Sequence, residues 1–117
     1  MSESTYLTGR TTIAPEVLVS IIKLTVLSVP GVSRLAPIPG RVNRILKREA
    51  IEGVEIAVEN NTVYADVYVI FLRDMNVRDV SRSIQHLVAR AVQEMVGMEV
   101  GKVNVHVEDI DYRSETA

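Results

Sequence analysis

The alternation of apolar and polar residues is clearest in the middle of the chain. Apolar residues occupy every second position from Val54 to Glu59, and a second alternating run extends from Val63 to Phe71. Asn60 and Asn61 separate the runs, and asparagine tolerates the positive φ that a two-residue hairpin turn requires. The pattern predicts a β-hairpin whose apolar residues share one face. The predicted cross-strand pairs are Val58 with Val63, Ile56 with Ala65, and Val54 with Val67.

The other face of this hairpin is predicted to be acidic. Glu55 lies directly opposite Asp66, and two like charges in this position need water or a cation to screen them. Tyr64 and Tyr68 share the face and have the aromatic character of an RNA-binding sheet, but their acidic neighbours repel phosphate. The face therefore argues against nucleic-acid binding.

Two segments have the spacing of amphipathic helices. The first begins at Pro15, which suits the first turn of a helix, and ends at Pro30. The second runs from about Asn76 to Val96, with Asp74 or Asn76 as the N-cap and Gly97 as the stop.

The first helix is more apolar than one buried face requires. Four of its apolar residues lie off the main apolar stripe, so either two sides of the helix are buried or this surface contacts another protein. Burial on two sides is the commoner arrangement in small α+β domains. The second interpretation defines a candidate self-association surface. Its residues are Val19, Leu24, Val26 and Leu27.

The remaining segments complete a fold prediction. Residues 11 to 13 are expected to form a short strand, and Lys102 to Glu108 alternate as a last strand. The stretch from Ala36 to Ala50 is irregular, with a short basic helix expected over Arg41 to Glu49. The order of elements predicts a single α+β domain, a βαββαβ-like antiparallel or mixed sheet with two main helices on one face. We place the domain at residues 9 to 112, between flexible tails at 1 to 8 and 113 to 117.

Composition narrows the possible functions. The chain has 117 residues, of which 47% are hydrophobic and 24% charged, and its net charge of -2 is typical of a soluble globular protein. Cysteine is absent, which excludes disulfides, thiolate nucleophiles and cysteine-ligated metals. The longest apolar stretch, from Val17 to Val29, is too short to cross a bilayer, and no export signal precedes it. These properties predict a cytoplasmic protein.

Sequence motifs for catalysis are also absent. The chain contains no nucleophile elbow, Walker loop, dinucleotide-binding turn or zinc-protease motif, so we expect no enzymatic activity, cofactor or metal. Four residues of the open sheet face could converge as an acid–base or metal cluster, although a solvated sheet face is the commoner arrangement. They are Glu55, Asp66, His106 and Glu108.

Positive charge is concentrated in the loop before the hairpin and on one side of the second helix. On that helix Arg78, Arg82, His86 and Arg90 recur every four residues, so they lie along one stripe. Such a stripe can bind phosphate or an acidic partner, or it can simply be solvated. The alternative function is therefore a nucleic-acid or anionic-ligand binding module. Its candidate residues are Arg41, Arg44, Lys47, Arg48, Arg78, Arg82 and Arg90.

The succession of segments resembles the alkaline shock protein family. The resemblance extends from about Gly9 to Ile110 and rests on the order and spacing of short motifs. These are GRTTIAPEV at 9 to 17, VPGV at 29 to 32, GV at 53 to 54, VYADVYV at 63 to 69, IQ at 84 to 85, MVG at 95 to 97 and VNVHV at 103 to 107.

This resemblance implies a small α+β domain without known catalytic activity that acts in cell-envelope homeostasis. It also implies self-association and, in some members, attachment near the cytoplasmic membrane through a separate membrane-anchored partner. The resemblance provides no catalytic residues to assign. We therefore expect a non-enzymatic, membrane-proximal scaffold in the envelope stress response, with itself and a membrane-anchored protein as partners.

Overall fold

A computed structural model of the chain describes residues 9 to 39, 49 to 51 and 53 to 113. Two helices and five strands form in these residues. In chain order they are α1 (Pro15–Leu27), β1 (Val32–Leu35), β2 (Glu49–Ile51), β3 (Val54–Glu59), β4 (Thr62–Leu72), α2 (Val77–Val96) and β5 (Glu99–Asp111).

The long strand β4 is the centre of the sheet. Along one side it is parallel to β5 over its whole length. Along the other side it is antiparallel to β3 in its first half and to β1 near its end, and β2 pairs with the far side of β3. The sheet is therefore mixed, and the predicted α+β class is confirmed.

The β3–β4 hairpin has the predicted register. Val58 faces Val63, and Glu55 faces Asp66. The turn residues Asn60 and Asn61 have φ values of 51° and 62°, as a two-residue turn of the type I′ class requires. Because the side-chain period of a strand is two, this register directs the apolar residues of both strands towards the helices.

Both helices begin where the sequence predicts. Pro15 opens α1, and the side chain of Asn76 caps α2 by accepting a hydrogen bond from the Asp79 amide at 3.0 Å. Gly97 ends α2 with a φ of 78°, in the left-handed region that glycine adopts readily. The first helix ends at Leu27, one turn before the expected stop at Pro30.

One hydrophobic cluster fills the space between the two helices and the inner face of the sheet. Phe71 of β4 is its largest fully buried side chain, and Ile22 of α1 and Ile84 of α2 are also inaccessible to solvent. The alternating valines of β3 and β4 complete the cluster. Both helices therefore cover the same face, as predicted, and we call the opposite face, which neither helix covers, the open face.

Three predictions about local structure need correction or fall outside the described residues. Residues 11 to 13 form no strand, since they pair with no other segment in the described part of the chain. The strands β1 and β2 were not expected, because both are too short to show alternation. The predicted helix over Arg41 to Glu49 lies outside the described residues except for Glu49, which opens β2. The predicted tail at 1 to 8 and all of the predicted tail at 113 to 117 except Arg113 also lie outside them.

Candidate functional site

The outer surface of α1 carries part of the predicted self-association surface. Leu24 is 69% exposed and Leu27 is 41% exposed, and both project away from the core. Val19 and Val26 are fully buried against the sheet, so the structure removes them from this surface. Both lie on the same side of the helix as Leu18 and Ile22, which are also buried.

Val17 extends the exposed apolar surface of α1. It lies seven residues before Leu24, which is two helical turns, and 47% of it is exposed. Ser20, a small polar residue, lies on this side one turn before Leu24, and the charged Glu16 and Lys23 lie at its margin, next to Leu27. We call Val17, Leu24 and Leu27 the α1 outer face. It is a helix surface on which aliphatic side chains replace the charged residues that a solvent-facing helix normally carries.

The open face of the sheet gathers polar side chains from β4 and β5. Asp66 Oδ1 accepts a hydrogen bond from Asn104 Nδ2 at 3.1 Å and lies 2.9 Å from His106 Nε2. The His106 ring stacks on Tyr68, with 4.4 Å between ring centroids and 12° between ring planes. Because β4 and β5 are parallel and in register here, Asp66 is level with Asn104 and Tyr68 is level with His106.

The structure brings together only some of the four candidate acid–base residues. Asp66 and His106 are brought together, and Glu55 faces Asp66 from β3 with only 2% of its surface exposed. Glu108 makes no hydrogen bond to the other three. Within residues 9 to 39, 49 to 51 and 53 to 113, no group of three or more histidines and carboxylates has the geometry of a metal site. The sequence placed Tyr68 on this face but did not reveal that its ring stacks on His106.

A second polar centre lies at Asp111, where β1 and β5 flank the end of β4. Its carboxylate accepts hydrogen bonds from Ser33 Oγ at 2.8 Å and from Arg34 Nη1 at 3.2 Å, which ties β1 to β5 across the end of β4. Arg113 adds a bond to each carboxylate oxygen, at 3.0 and 3.1 Å. These hydrogen bonds hold the pKa of Asp111 well below its usual range. The bonds from Arg113 have the largest effect, and the bond from Ser33 has the next largest.

The low pKa of Asp111 predicts how its contribution to stability depends on pH. The folded pKa lies below the unfolded value of about 3.9, so the stabilisation is complete above that value and is lost as the pH falls through the folded pKa. We expect Asp111→Asn to have a lower urea midpoint than the unaltered chain at pH 7 and pH 5. The difference between the urea midpoints of the two proteins should become smaller below about pH 4. Glu99→Gln, also on β5, is the control and should show no such trend; a gap for Asp111→Asn that stays constant down to pH 2 would contradict the assignment.

The predicted basic surface is described only in part. Arg78, Arg82 and His86 are exposed along α2 and make no ion pair with the described residues, whereas Arg90 pairs with Glu94 at 3.1 Å. A shallow depression next to this stripe is lined by Arg82, Ser83, His86 and Leu87. The other candidate residues lie outside the described residues. They are Arg41, Arg44, Lys47 and Arg48.

Sequence reasoning missed a cleft at the hairpin end of the molecule. Its volume is about 420 Å³, and it is mainly apolar. It is formed where the residues before α1, the hairpin turn, the end of α2 and the start of β5 meet, so no local sequence pattern reveals it. Its lining residues are Thr11, Ile13, Pro15, Leu18, Val58, Asn61, Val96 and Met98.

In the part of the chain that the structure describes, neither helix is long and apolar enough to cross a membrane.

Comparison with known proteins identifies one curated relative and a group of distantly similar folds. The chain is 26% identical over 112 residues to YqhY, an uncharacterised protein of Bacillus subtilis (strain 168), and the match covers 94% of this chain and 82% of that protein. Among solved structures, the zinc form of MamM CTD D249N is 16% identical with a TM-score of 0.47, covering 86% of this chain and 91% of that one. The copper form of MamM CTD is 16% identical with a TM-score of 0.48, covering 85% and 89%.

A family model provides the assignment. The model of the alkaline shock protein 23 family, described as having a cell envelope-related function, matches residues 3–112. This range contains both helices and all five strands, and the resemblance to the alkaline shock proteins is confirmed. The chain therefore belongs to the alkaline shock protein family, whose function is related to the cell envelope.

Proposed function

We propose that this chain is a non-enzymatic scaffold that associates with itself at the cytoplasmic side of the membrane and supports cell-envelope homeostasis and the stress response. The observation that carries the proposal is the α1 outer face. Leu24 and Leu27 are 69% and 41% exposed on a helix whose opposite side is fully buried. The family assignment supports a role at the envelope.

Burial of the α1 outer face would favour association. Removing a leucine side chain from water contributes about 1.5 to 3 kcal/mol to the free energy of association when burial is complete. The three aliphatic residues lie within about three helical turns, so a second helix can cover them together. Apolar contact of this kind is retained or strengthened at high salt, in contrast to contact between surface charges.

The membrane-proximal part of the proposal requires a partner. We propose that a separate membrane-anchored protein provides the attachment, as the resemblance to the alkaline shock proteins implies. Arg78 and Arg82 are exposed and have no carboxylate partner among the described residues, which suits an acidic segment on such a protein.

The same exposed cations favour one alternative, an anionic-ligand or nucleic-acid binding module. Arg78, Arg82 and His86 lie on successive turns of α2 and would face the same phosphates. The two functions differ in salt dependence. Phosphate binding weakens steeply as ionic strength rises, because the bound cations displace counterions from the nucleic acid.

Light scattering coupled to size-exclusion chromatography tests the proposal. The measurement is made over a protein concentration series at low and high salt. We expect dimers or larger species that persist at high salt. Leu24→Lys should raise the concentration needed for association by roughly 10-fold or more, because a charge replaces apolar area at the contact. Met95→Lys on α2 is the matched control, since Met95 is also 69% exposed, and it should leave association unchanged.

Two outcomes would contradict the proposal. A monomer at every concentration would remove self-association as an intrinsic property of the chain. Association that disappears at high salt and is insensitive to Leu24→Lys would point instead to the charged surface of α2. In that case, a fluorescently labelled oligonucleotide titrated at two salt concentrations would measure the alternative function directly.

A further inference from the structure

The last strand, β5, has one side of its backbone open. It is 13 residues long, about twice the usual strand length, and it pairs in parallel with β4 along one edge only. No other strand in residues 9 to 39, 49 to 51 and 53 to 113 pairs with its second edge. A long unpaired edge presents a row of backbone donors and acceptors to any strand that can approach it.

Two β-bulges divide this strand. Gly101 and Glu108 have no partner on β4, because the register advances by one residue at each of them. The ring of Tyr64 covers Gly101 so closely that a Cβ there would overlap it, which explains why glycine occupies the bulge. Bulges distort a strand locally and commonly limit pairing at an edge. The regular part of the edge is therefore the run from Lys102 to Val107.

The run between the bulges lacks the features that usually block strand addition. It contains no proline, and its inward residues are valines rather than charged residues. Val103 is buried, while Val105 and Val107 are only partly buried although they pack against the core. One side-chain hydrogen bond reaches this backbone from outside the sheet in the described residues, from Gln85 Nε2 to the Val103 carbonyl at 3.2 Å.

Residues of the run favour one pairing with a second copy. In an antiparallel pair of identical strands, facing residues lie on the same side of the sheet. If Val105 faces itself, Val103 faces Val107 on the apolar side, and Lys102 lies opposite Glu108, the bulge residue directly after the run. The two-fold axis repeats the Lys102–Glu108 pair, so each dimer contains two of them. Neither side chain has a hydrogen bond or ion pair with the described residues of its own chain, so both are available.

We propose that β5 pairs edge to edge with β5 of a second copy of this chain, antiparallel, with Val105 on the two-fold axis and Lys102 opposite Glu108 of the other copy. The pairing extends the sheet across the interface and buries the exposed parts of Val105 and Val107. This inference rests on the proposed self-association and assigns it a second surface, separate from the α1 outer face.

Cysteine cross-linking tests the register. The chain has no cysteine of its own, so each single-cysteine variant carries one thiol. Facing residues of an antiparallel pair have Cα atoms about 4.5 to 5.5 Å apart, within the range for a disulfide. Val105→Cys is therefore expected to form a disulfide-linked dimer rapidly under mild oxidation. Lys102→Cys is the control, because six residues, or roughly 20 Å, would separate the two thiols.

A charge exchange tests the polar contact. Lys102→Glu alone and Glu108→Lys alone each place like charges opposite one another twice per dimer. Each should raise the dissociation constant roughly 10-fold at low salt. The double variant Lys102→Glu/Glu108→Lys restores opposite charges and should recover most of the affinity. Circular dichroism checks that each variant remains folded.

The outcomes separate this inference from the proposed self-association. Rapid cross-linking of Val105→Cys, slow cross-linking of Lys102→Cys and recovery in the double variant support the β5 pairing. If the chain associates but the two cysteine variants cross-link at the same slow rate and the charge variants have no effect, the β5 pairing is wrong while self-association stands. Sensitivity to Leu24→Lys would then assign it to the α1 outer face. A monomer at all concentrations would overturn both.

Discussion

Phe71→Ala is expected to lower the free energy of unfolding by about 3 to 5 kcal/mol, the usual cost of removing a fully buried phenylalanine side chain. Phe71 is inaccessible to solvent and faces Val32 of β1 and Ile110 of β5 from the central strand. Truncation would leave a cavity between the sheet and the two helices, because the paired strands hold the backbone around Phe71 in place. Urea denaturation monitored by circular dichroism, at a protein concentration low enough to avoid association, measures the change.

Phe71→Leu is the matched control for this prediction. It keeps most of the apolar volume, so its cost should stay below about 1.5 kcal/mol. Since single domains are stable by only about 5 to 15 kcal/mol in total, the alanine variant could be largely unfolded, and thermal melts of both variants would detect this. Equal midpoints for the alanine and leucine variants would show that the packing around Phe71 is less tight than described.

Gly53→Ala should destabilise the chain much more than Gly97→Ala. Both glycines have a φ near +80°, a conformation that costs an L-residue about 1 to 2 kcal/mol. At Gly53 the added Cβ would also lie 2.6 Å from Leu35 Cβ and 3.1 Å from the Ala36 carbonyl oxygen. Such overpacking typically adds about 1 to 3 kcal/mol. At Gly97 nothing lies within 4 Å of the added atom.

The two glycine variants therefore separate backbone strain from crowding. Their urea midpoints, compared with that of the unaltered chain, give both contributions from one experiment. If Gly53→Ala and Gly97→Ala lower the midpoint equally, the contact between Gly53 and β1 contributes nothing, and this part of the sheet must be able to move apart. We expect instead that the crowded site dominates, because one of the atoms in contact belongs to the backbone.

Local sequence patterns were sufficient for the hairpin and for α2. The register of the hairpin follows from alternation and a two-residue turn, both of which are encoded within a few residues of Asn60. The limits of α2 follow from a capping asparagine and a terminal glycine. Interactions of this kind depend on neighbours in sequence, so one sequence suffices to predict them.

Contacts between distant segments were not predictable in the same way. The strand β1 has four residues and a bulge, so its pairing with β4 is determined by packing and not by its own pattern. The inward position of Val19 and Val26 depends on how α1 rotates against the sheet, which helical spacing alone does not fix. At the candidate site, alternation placed Asp66 and His106 on one face, but only the parallel register of β4 and β5 makes them neighbours.

The position of β5 in the sheet has a consequence for the order of folding. The hairpin closes through two residues, whereas β5 can reach β4 only after α2 has crossed the sheet, so the hairpin can form early and β5 pairs late. Until then the edge of β4 that β5 later covers is open, and it is as able to accept a strand from another chain as from its own. We therefore expect refolding yield to fall with protein concentration even in variants whose native state is monomeric.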